Sequence, residues 1–345
     1  MTDDGRPQAP LMTNTQADRV KEVARLAGRP SRLRRREFLA EGPQAVREAL
    51  RLHLERREAG REGVVVGAYA TAEALDRHPD IAALLDAGAA PVLRQATPEV
   101  LAAMSSTVTP QGFVAVCRFV DVPLEDVLAA APRLVAVLVE VRDPGNAGTI
   151  IRAADSAGAD AVILTGASVD PYNPKTVRST VGSLFHLPLV LGIELDGLIE
   201  RLKGGGMSVL AADGYGAVNL DDLQDARAAR LVGTGPGRSA PEGEDPAAAT
   251  PDPRAADVVP GTDGSIRLEE PSAWLFGNEA QGLPPEITEA ADARVAVPVY
   301  GHAESLNVGT AATVCLYASA RAQRVTRPGP SAAPPSPHDG GPSDR

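Results

Sequence analysis

From Leu134 onward, short apolar runs alternate with segments of helical length, and this alternation limits the possible folds more than any other feature. "LVAVLVEV", "AVILTG", "LPLVLG", "SVLAADG", "AWLFG" and "VAVPVY" are all apolar and of strand length. "NAGTIIRAADSAG", "NPKTVRSTVGSLF" and "LDGLIERLKGG" lie between the first four and read as helices. A break follows "SVLAADG", and after "VAVPVY" and a polar loop a last helix runs from Leu306 to about Arg324. Strands that are apolar at nearly every position are buried on both faces, and intervening helices supply the cover. The expectation for 134–325 is therefore an α/β unit with a mostly parallel sheet and helices on both faces.

A smaller α/β pattern precedes it over 17–120. Helices are expected at 18–28 and 43–57, then a strand at "GVVVGAYA", a helix at "TAEALDRHPDIAALLDAG", a strand at "PVLRQA", a helix at "TPEVLAAMS" and a strand at "GFVAVCRFV". Residues 121–133 form a linker with a helical turn or more. Three stretches stand outside: 1–16, 235–271 and 326–345. The last two are rich in Pro, Gly and Ala, with too little apolar surface to order themselves, and disorder is expected in all three.

The net charge of −11 argues against a nucleic-acid partner only until its distribution is considered. Over 239–272, eight acids face two bases, a local −6. Over 18–37, Arg19, Lys21, Arg25, Arg29, Arg32, Arg34, Arg35 and Arg36 outnumber Asp18, Glu22 and Glu37. A basic arm on an acidic protein results. Cys117 and Cys315 are the only cysteines, too few for a disulfide framework, and no His/Cys spacing suits a metal. No apolar run approaches membrane-spanning length, and the N-terminus lacks the basic-then-apolar pattern of a secretory leader, so a cytoplasmic location is expected.

Ligands in such sheets gather at the carboxyl ends of strands, and three loops there are unusually polar. "VRDPGNAGTIIRAADSAGA" places Asn146 as a helix cap, with Arg152 about one and a half turns on. "AWLFGNEAQGLPPEI" ends a strand in Gly277-Asn278-Glu279. "GHAESLNVGTAATV" offers Ser305 as the N-cap of a helix from Leu306, which leaves Asn307 and Gly309 inside it. Each of those two costs up to about 1 kcal/mol relative to Ala in a helix. Neither the GxxxxGK[ST] nor the GxGxxG phosphate loop occurs, and GxSxG is absent.

Together the three loops resemble the signature motifs of the SpoU (TrmH) family of RNA 2′-O-ribose methyltransferases, in the SPOUT superfamily. The match runs through N-x-G-x-x-x-R at Asn146–Arg152, F-G-N-E-x-x-G-L at Phe276–Leu283, and S-L-N-V from Ser305. "FLAEGPQAVREAL" and "SSTVTPQGFVAV" resemble the family's ribosomal-protein-like substrate-binding domain. The stretch "DPYNPKTVRSTVGSLFHLP" is similar to a subgroup acting on large-subunit ribosomal RNA.

The resemblance implies a deep trefoil knot and a homodimer through the knotted domain. It further implies S-adenosylmethionine held at Gly277, Val297 and Leu306, with Thr165 and Gly166 nearby. Catalysis would fall to Arg152, oriented with ribose and cofactor by Asn146, Glu279, Ser305 and Asn307. RNA would contact Arg32, Arg34, Arg35, Arg36, Lys175 and Arg178. Ribosomal RNA is favoured over transfer RNA, and a non-catalytic RNA-binding protein of the same fold is the rival from another class. Two departures stand out: 224–271 is longer than the usual connection, and Gly309 replaces a frequent serine.

Overall fold

The structure, a computed structural model, describes residues 10–89, 93–233 and 266–324. Most of the stretches expected to be disordered lie outside them. At their inner borders the chain is packed: Met12 bridges to Ala96, and Leu268 is fully buried.

The first unit is built on a four-stranded sheet of β1 (Glu37–Glu41), β2 (Val65–Ala70), β3 (Leu93–Gln95) and β4 (Phe113–Arg118), in the order β1-β4-β2-β3. β4 runs antiparallel to β1 and β2, while β2 and β3 are parallel. The 16-residue helix Pro43–Glu58 buries Val46, Ala49 and Leu50 against this unit's core. The helix expected at 18–28 ends at Gly28 and a second, unexpected helix follows it, while one expected helix is broken at a proline. Gly28 is extended and separates Asp18–Ala27 from the helix Arg29–Arg35. Pro79 disfavours helical dihedrals at His78, so Ala72–Arg77 and Pro79–Leu84 are separate helices.

The second unit holds β5 (Leu134–Leu138), β6 (Ala161–Thr165), β7 (Leu189–Ile193), β8 (Ser208–Ala212), β9 (Val218–Asn219), β10 (Ser272–Phe276) and β11 (Ala293–Ala296). Among the described residues these form one seven-stranded sheet, β7-β6-β5-β10-β8-β11-β9, with every pairing parallel. β5, β6 and β10 are buried at every position, as central parallel strands must be. The break after β8 contains β9 and the helix Leu220–Gly233. The strand expected through Tyr300 ends at Ala296, short of Pro298.

The two units meet along a packed seam. Tyr172 stacks on Phe119 at 3.9 Å and lies 4.7 Å from Phe38, which also stacks with Phe185. The Tyr172 hydroxyl accepts from the N–H groups of Val120 and Asp121 and donates to Asp121 Oδ1. Burial, reinforced by Asp121, pushes this phenol well above its ordinary pKa. Glu41, with a side chain only 2% exposed, accepts from Ser105, from Ser106 and, at 2.5 Å, from Arg178 across the seam.

Candidate active site

The helix Pro144–Ala157 follows β5, and Asp143 caps it by accepting from Asn146 N–H at 2.8 Å. Asn146 therefore sits inside the first turn instead of at the cap, which leaves its side chain free for longer-range bonds. Its Nδ2 donates to Glu279 Oε1 at 2.7 Å, and its Oδ1 accepts from Asn307 Nδ2 at 3.0 Å. Asn307 Oδ1 in turn accepts from Gly309 N–H and Thr310 N–H. A carboxylate can only accept and the helical N–H groups can only donate, so both amide orientations in this chain follow from its two ends. Three loops far apart in sequence converge on one hydrogen-bonded line.

That line also accounts for the third loop. The cap is Asn307, not Ser305, and the helix is Val308–Arg324. Gly309 is needed for a close approach: a β-carbon there would fall 2.8 Å from Thr149 Cγ2 on the neighbouring helix. Its cost in helix propensity is offset by the contact between these two helices.

The second loop is closed on itself. Asn278 and Gly282 exchange backbone bonds of 3.0 and 2.8 Å, and Gly282 has a φ of +69°. A side chain at Gly277 would collide with Gly282 and Leu283, so the loop's own closure demands this glycine. Asn278 Nδ2 donates to Glu140 O, tying β10's loop to that of β5. Glu140 is itself left-handed, at φ 55°, and its N–H donates to Thr165 Oγ1. Non-glycine residues take that conformation only where their surroundings enforce it.

A cleft of about 700 Å³ opens over the carboxyl ends of β8, β10 and β11, within the roughly 300–1,000 Å³ usual for small-molecule sites. Gly277, Glu279, Val297, Ser305, Leu306 and Asn307 line it. Thr165 and Gly166 do not. Thr165 is buried and spent on Glu140 and Ser168, and Gly166 lies against Glu194 instead. Ser305 is exposed, with no hydrogen-bond partner among the described residues. The cleft also takes in Asp213, Tyr215, Arg294 and Glu304, which the motifs do not mark. The position of "SVLAADG" at the end of a parallel strand is the one signal that pointed there. Apolar Leu283, Val295, Val297 and Ala311 beside carboxylates and amides suit a ligand with a flat apolar ring and a polar, charged remainder. S-adenosylmethionine fits that description.

Arg152 is exposed, lies about 9 Å along the helix axis from Asn146, and has no hydrogen-bond or ion-pair partner among the described residues. The other basic residues divide. Arg32 is 2% exposed, held by Asp170 at 2.7 Å and by the carbonyls of Leu26 and Ala27, so it cannot reach RNA. Arg178 is engaged by Glu41 and Ser106 at the seam. Arg34, Arg35, Arg36 and Lys175 are exposed, with Arg35 paired to Glu37 and Arg36 to Asp121. Among the described residues no group of acids, histidines and cysteines could hold a metal, and no helix is long and apolar enough to cross a membrane.

Comparison with known proteins agrees with this geometry. The SpoU rRNA Methylase family matches residues 133–235 and 243–317, more than half of the chain, and an MRM3-like substrate binding domain matches 17–115. The chain is 34% identical over 219 residues to the 23S rRNA (guanosine(2553)-2′-O)-methyltransferase RlmP of Bacillus subtilis (strain 168), covering 64% of this chain and 68% of that one. It is 29% identical over 315 residues to a tRNA/rRNA methyltransferase of Synechocystis sp. whose function is uncharacterized, covering 90% and 94%. Among solved structures, the AdoMet-bound rRNA methyltransferase from Sinorhizobium meliloti superposes with a TM-score of 0.66 at 26% identity, over 90% of this chain and 97% of that one. The parallel sheet, the three converging loops and these matches place the chain in the SpoU rRNA methylase family.

Proposed function

We propose that this protein methylates the 2′-hydroxyl of a ribose in ribosomal RNA, in the large subunit, with S-adenosylmethionine as donor. The observation that carries the reading is the line Glu279–Asn146–Asn307, beside which the helix of Asn146 presents Arg152, unpartnered among the described residues. RlmP, named for methylation of 23S rRNA at a ribose 2′-O, supports the choice of RNA.

Gly277, Val297 and Leu306 would hold the cofactor in the cleft, where its sulfonium supplies an electrophilic methyl group. Positioning then does much of the work, because an in-line displacement needs the hydroxyl aligned with that group. A guanidinium keeps its proton in proteins, so Arg152 does not act as a base. It binds the phosphate beside the target ribose and stabilises negative charge developing on the 2′-oxygen. Asn146, fixed at both ends, holds Glu279 and Asn307 in register around the reacting groups, and Ser305 contributes its free hydroxyl at the rim.

The first unit holds the RNA, with Arg34, Arg35 and Arg36 on phosphates, and Lys175 of the second unit adds a contact beside the active site. The match to a substrate binding domain supports this. We further infer a trefoil knot around the cleft and a cytoplasmic homodimer. Val314 and Tyr317, exposed on the outer face of the last helix, suit such a contact.

Arg152→Ala tests the core of the reading. Transfer of labelled methyl to ribosomal RNA should fall on the order of 10²–10³-fold, while calorimetric affinity for S-adenosylmethionine stays within a few-fold. Unchanged turnover would remove Arg152 from the chemistry.

A further inference from the structure

The loop after β8 is pinned by Asp213. Its N–H donates to Val295 O, its carbonyl accepts from Gly216 N–H, and its Oδ1 accepts from Tyr215 N–H at 2.9 Å. Its Oδ2 accepts from Nε and Nη2 of Arg294 at 2.9 and 2.7 Å. Gly216 closes the turn, since a β-carbon there would lie 2.5 Å from Arg294 O. A turn held this firmly leaves Tyr215 91% exposed on the wall of the cleft. The chain does not spend aromatic rings on solvent freely: only 3% of its residues are aromatic, and neither a phenylalanine nor its single tryptophan is exposed. Tyr300 and Tyr317, also exposed, are bonded through their hydroxyls to Asp221 and to Ser156 O, whereas the Tyr215 hydroxyl has no partner among the described residues.

We propose that Tyr215 is the stacking face for the adenine of S-adenosylmethionine; this inference rests on the function proposed above. Sheet order separates the two ends of the cleft. Asn146 and Glu279 belong to the segments after β5 and β10, with Arg152 on the helix that follows β5, while Tyr215 belongs to the loop after β8, beside β11. At about 4.8 Å per strand, that is roughly 5–10 Å further along the sheet. The reactive end of the donor belongs with Arg152, so the part reaching Tyr215 is the far, heteroaromatic end. The apolar floor there, Leu283, Val295 and Val297, offers an aliphatic surface for one face of a purine. The phenol covers the other face, and ring stacking adds to area burial.

Titration calorimetry on the full chain tests this with S-adenosylmethionine and with its demethylated product. Tyr215→Ala should raise Kd about three- to tenfold for both ligands, and Tyr215→Phe should leave it within about twofold. Tyr300→Ala should bind as the unaltered protein does. In ¹³C-tyrosine-labelled protein, the Tyr215 ring protons should shift upfield on cofactor addition. Equal cofactor affinity in Tyr215→Ala and the unaltered protein would overturn the assignment and leave the proposed function standing. So would a variant that keeps its cofactor affinity and loses RNA affinity, because the ring would then serve a nucleobase of the substrate. If the unaltered protein binds no S-adenosylmethionine, the proposed function fails, and the role of Tyr215 with it.

Discussion

A β-carbon at Gly148 would lie 1.9 Å from Ser179 Oγ, so the helices Pro144–Ala157 and Pro174–Thr180 meet at a distance that only hydrogen permits. Ser179 is not free to retreat, because its hydroxyl donates to Pro144 O or Thr176 O. Gly148→Ala should therefore destabilise the protein by about 1–3 kcal/mol through overpacking, despite the roughly 1 kcal/mol that alanine gains in a helix. Urea unfolding followed by the emission of the single, buried Trp274 measures it, and an unchanged or raised midpoint would refute the packing argument. At this scale the motifs gave residue identities but not roles. Ser305 and Asn307 are both good caps two positions apart, and the choice between them is made by Asn146, 161 residues away. The capping part assigned to Asn146 belongs to Asp143, three residues earlier. Neither partner can be seen from local spacing.

In the element Arg29–Arg35 and its flank, the basic run looks uniform in sequence, and the fold divides it. Arg32 points inward because Asp170, 138 residues away, waits for it with two carbonyls, while Arg34, Arg35 and Arg36 face solvent. The two sets should respond differently to alanine. The triple variant at Arg34, Arg35 and Arg36 should weaken ribosomal RNA binding and flatten its dependence on salt, since fewer counterions are released. Binding measured across a KCl series decides this, and an identical slope would exclude the arm. Arg32→Ala should leave that slope alone and cost about 3 kcal/mol of stability, the low end for stranding one member of a buried ion pair. The break at Pro79 was legible in principle, but the apolar periodicity running through it concealed the effect, whereas the helix after Gly28 is short and mostly basic and carries no apolar stripe to reveal it.

Across the whole molecule, the seam makes the distance from the basic helix to Arg152 a fixed property of the fold. His186 is one of its fastenings, with Nδ1 2.8 Å from Asp155 and Nε2 3.2 Å from Glu48 of the first unit. Burial alone would lower its pKa, but the bonds to the two carboxylates outweigh that and raise it above 6.5. A raised folded-state pKa contributes stability that is complete below the unfolded value and is lost as pH climbs through the folded one. Stability should therefore decline upward from about pH 6.5, and His186→Gln should flatten that segment of the profile; parallel curves for the two proteins would dismiss the fastening. The parallel sheet and its helical cover were legible from Leu134 onward, because doubly buried strands must be apolar. Strand order was not, since apolarity carries no address. β10 is next to last of the seven in sequence yet lies near the centre, between β5 and β8. A ribosome that has delivered this chain only as far as Gly233 has therefore released five of the seven strands, with a gap between β5 and β8. The sheet cannot close until Ser272–Phe276 has emerged, so methyltransferase competence waits for that one strand and the loop it brings to the cleft.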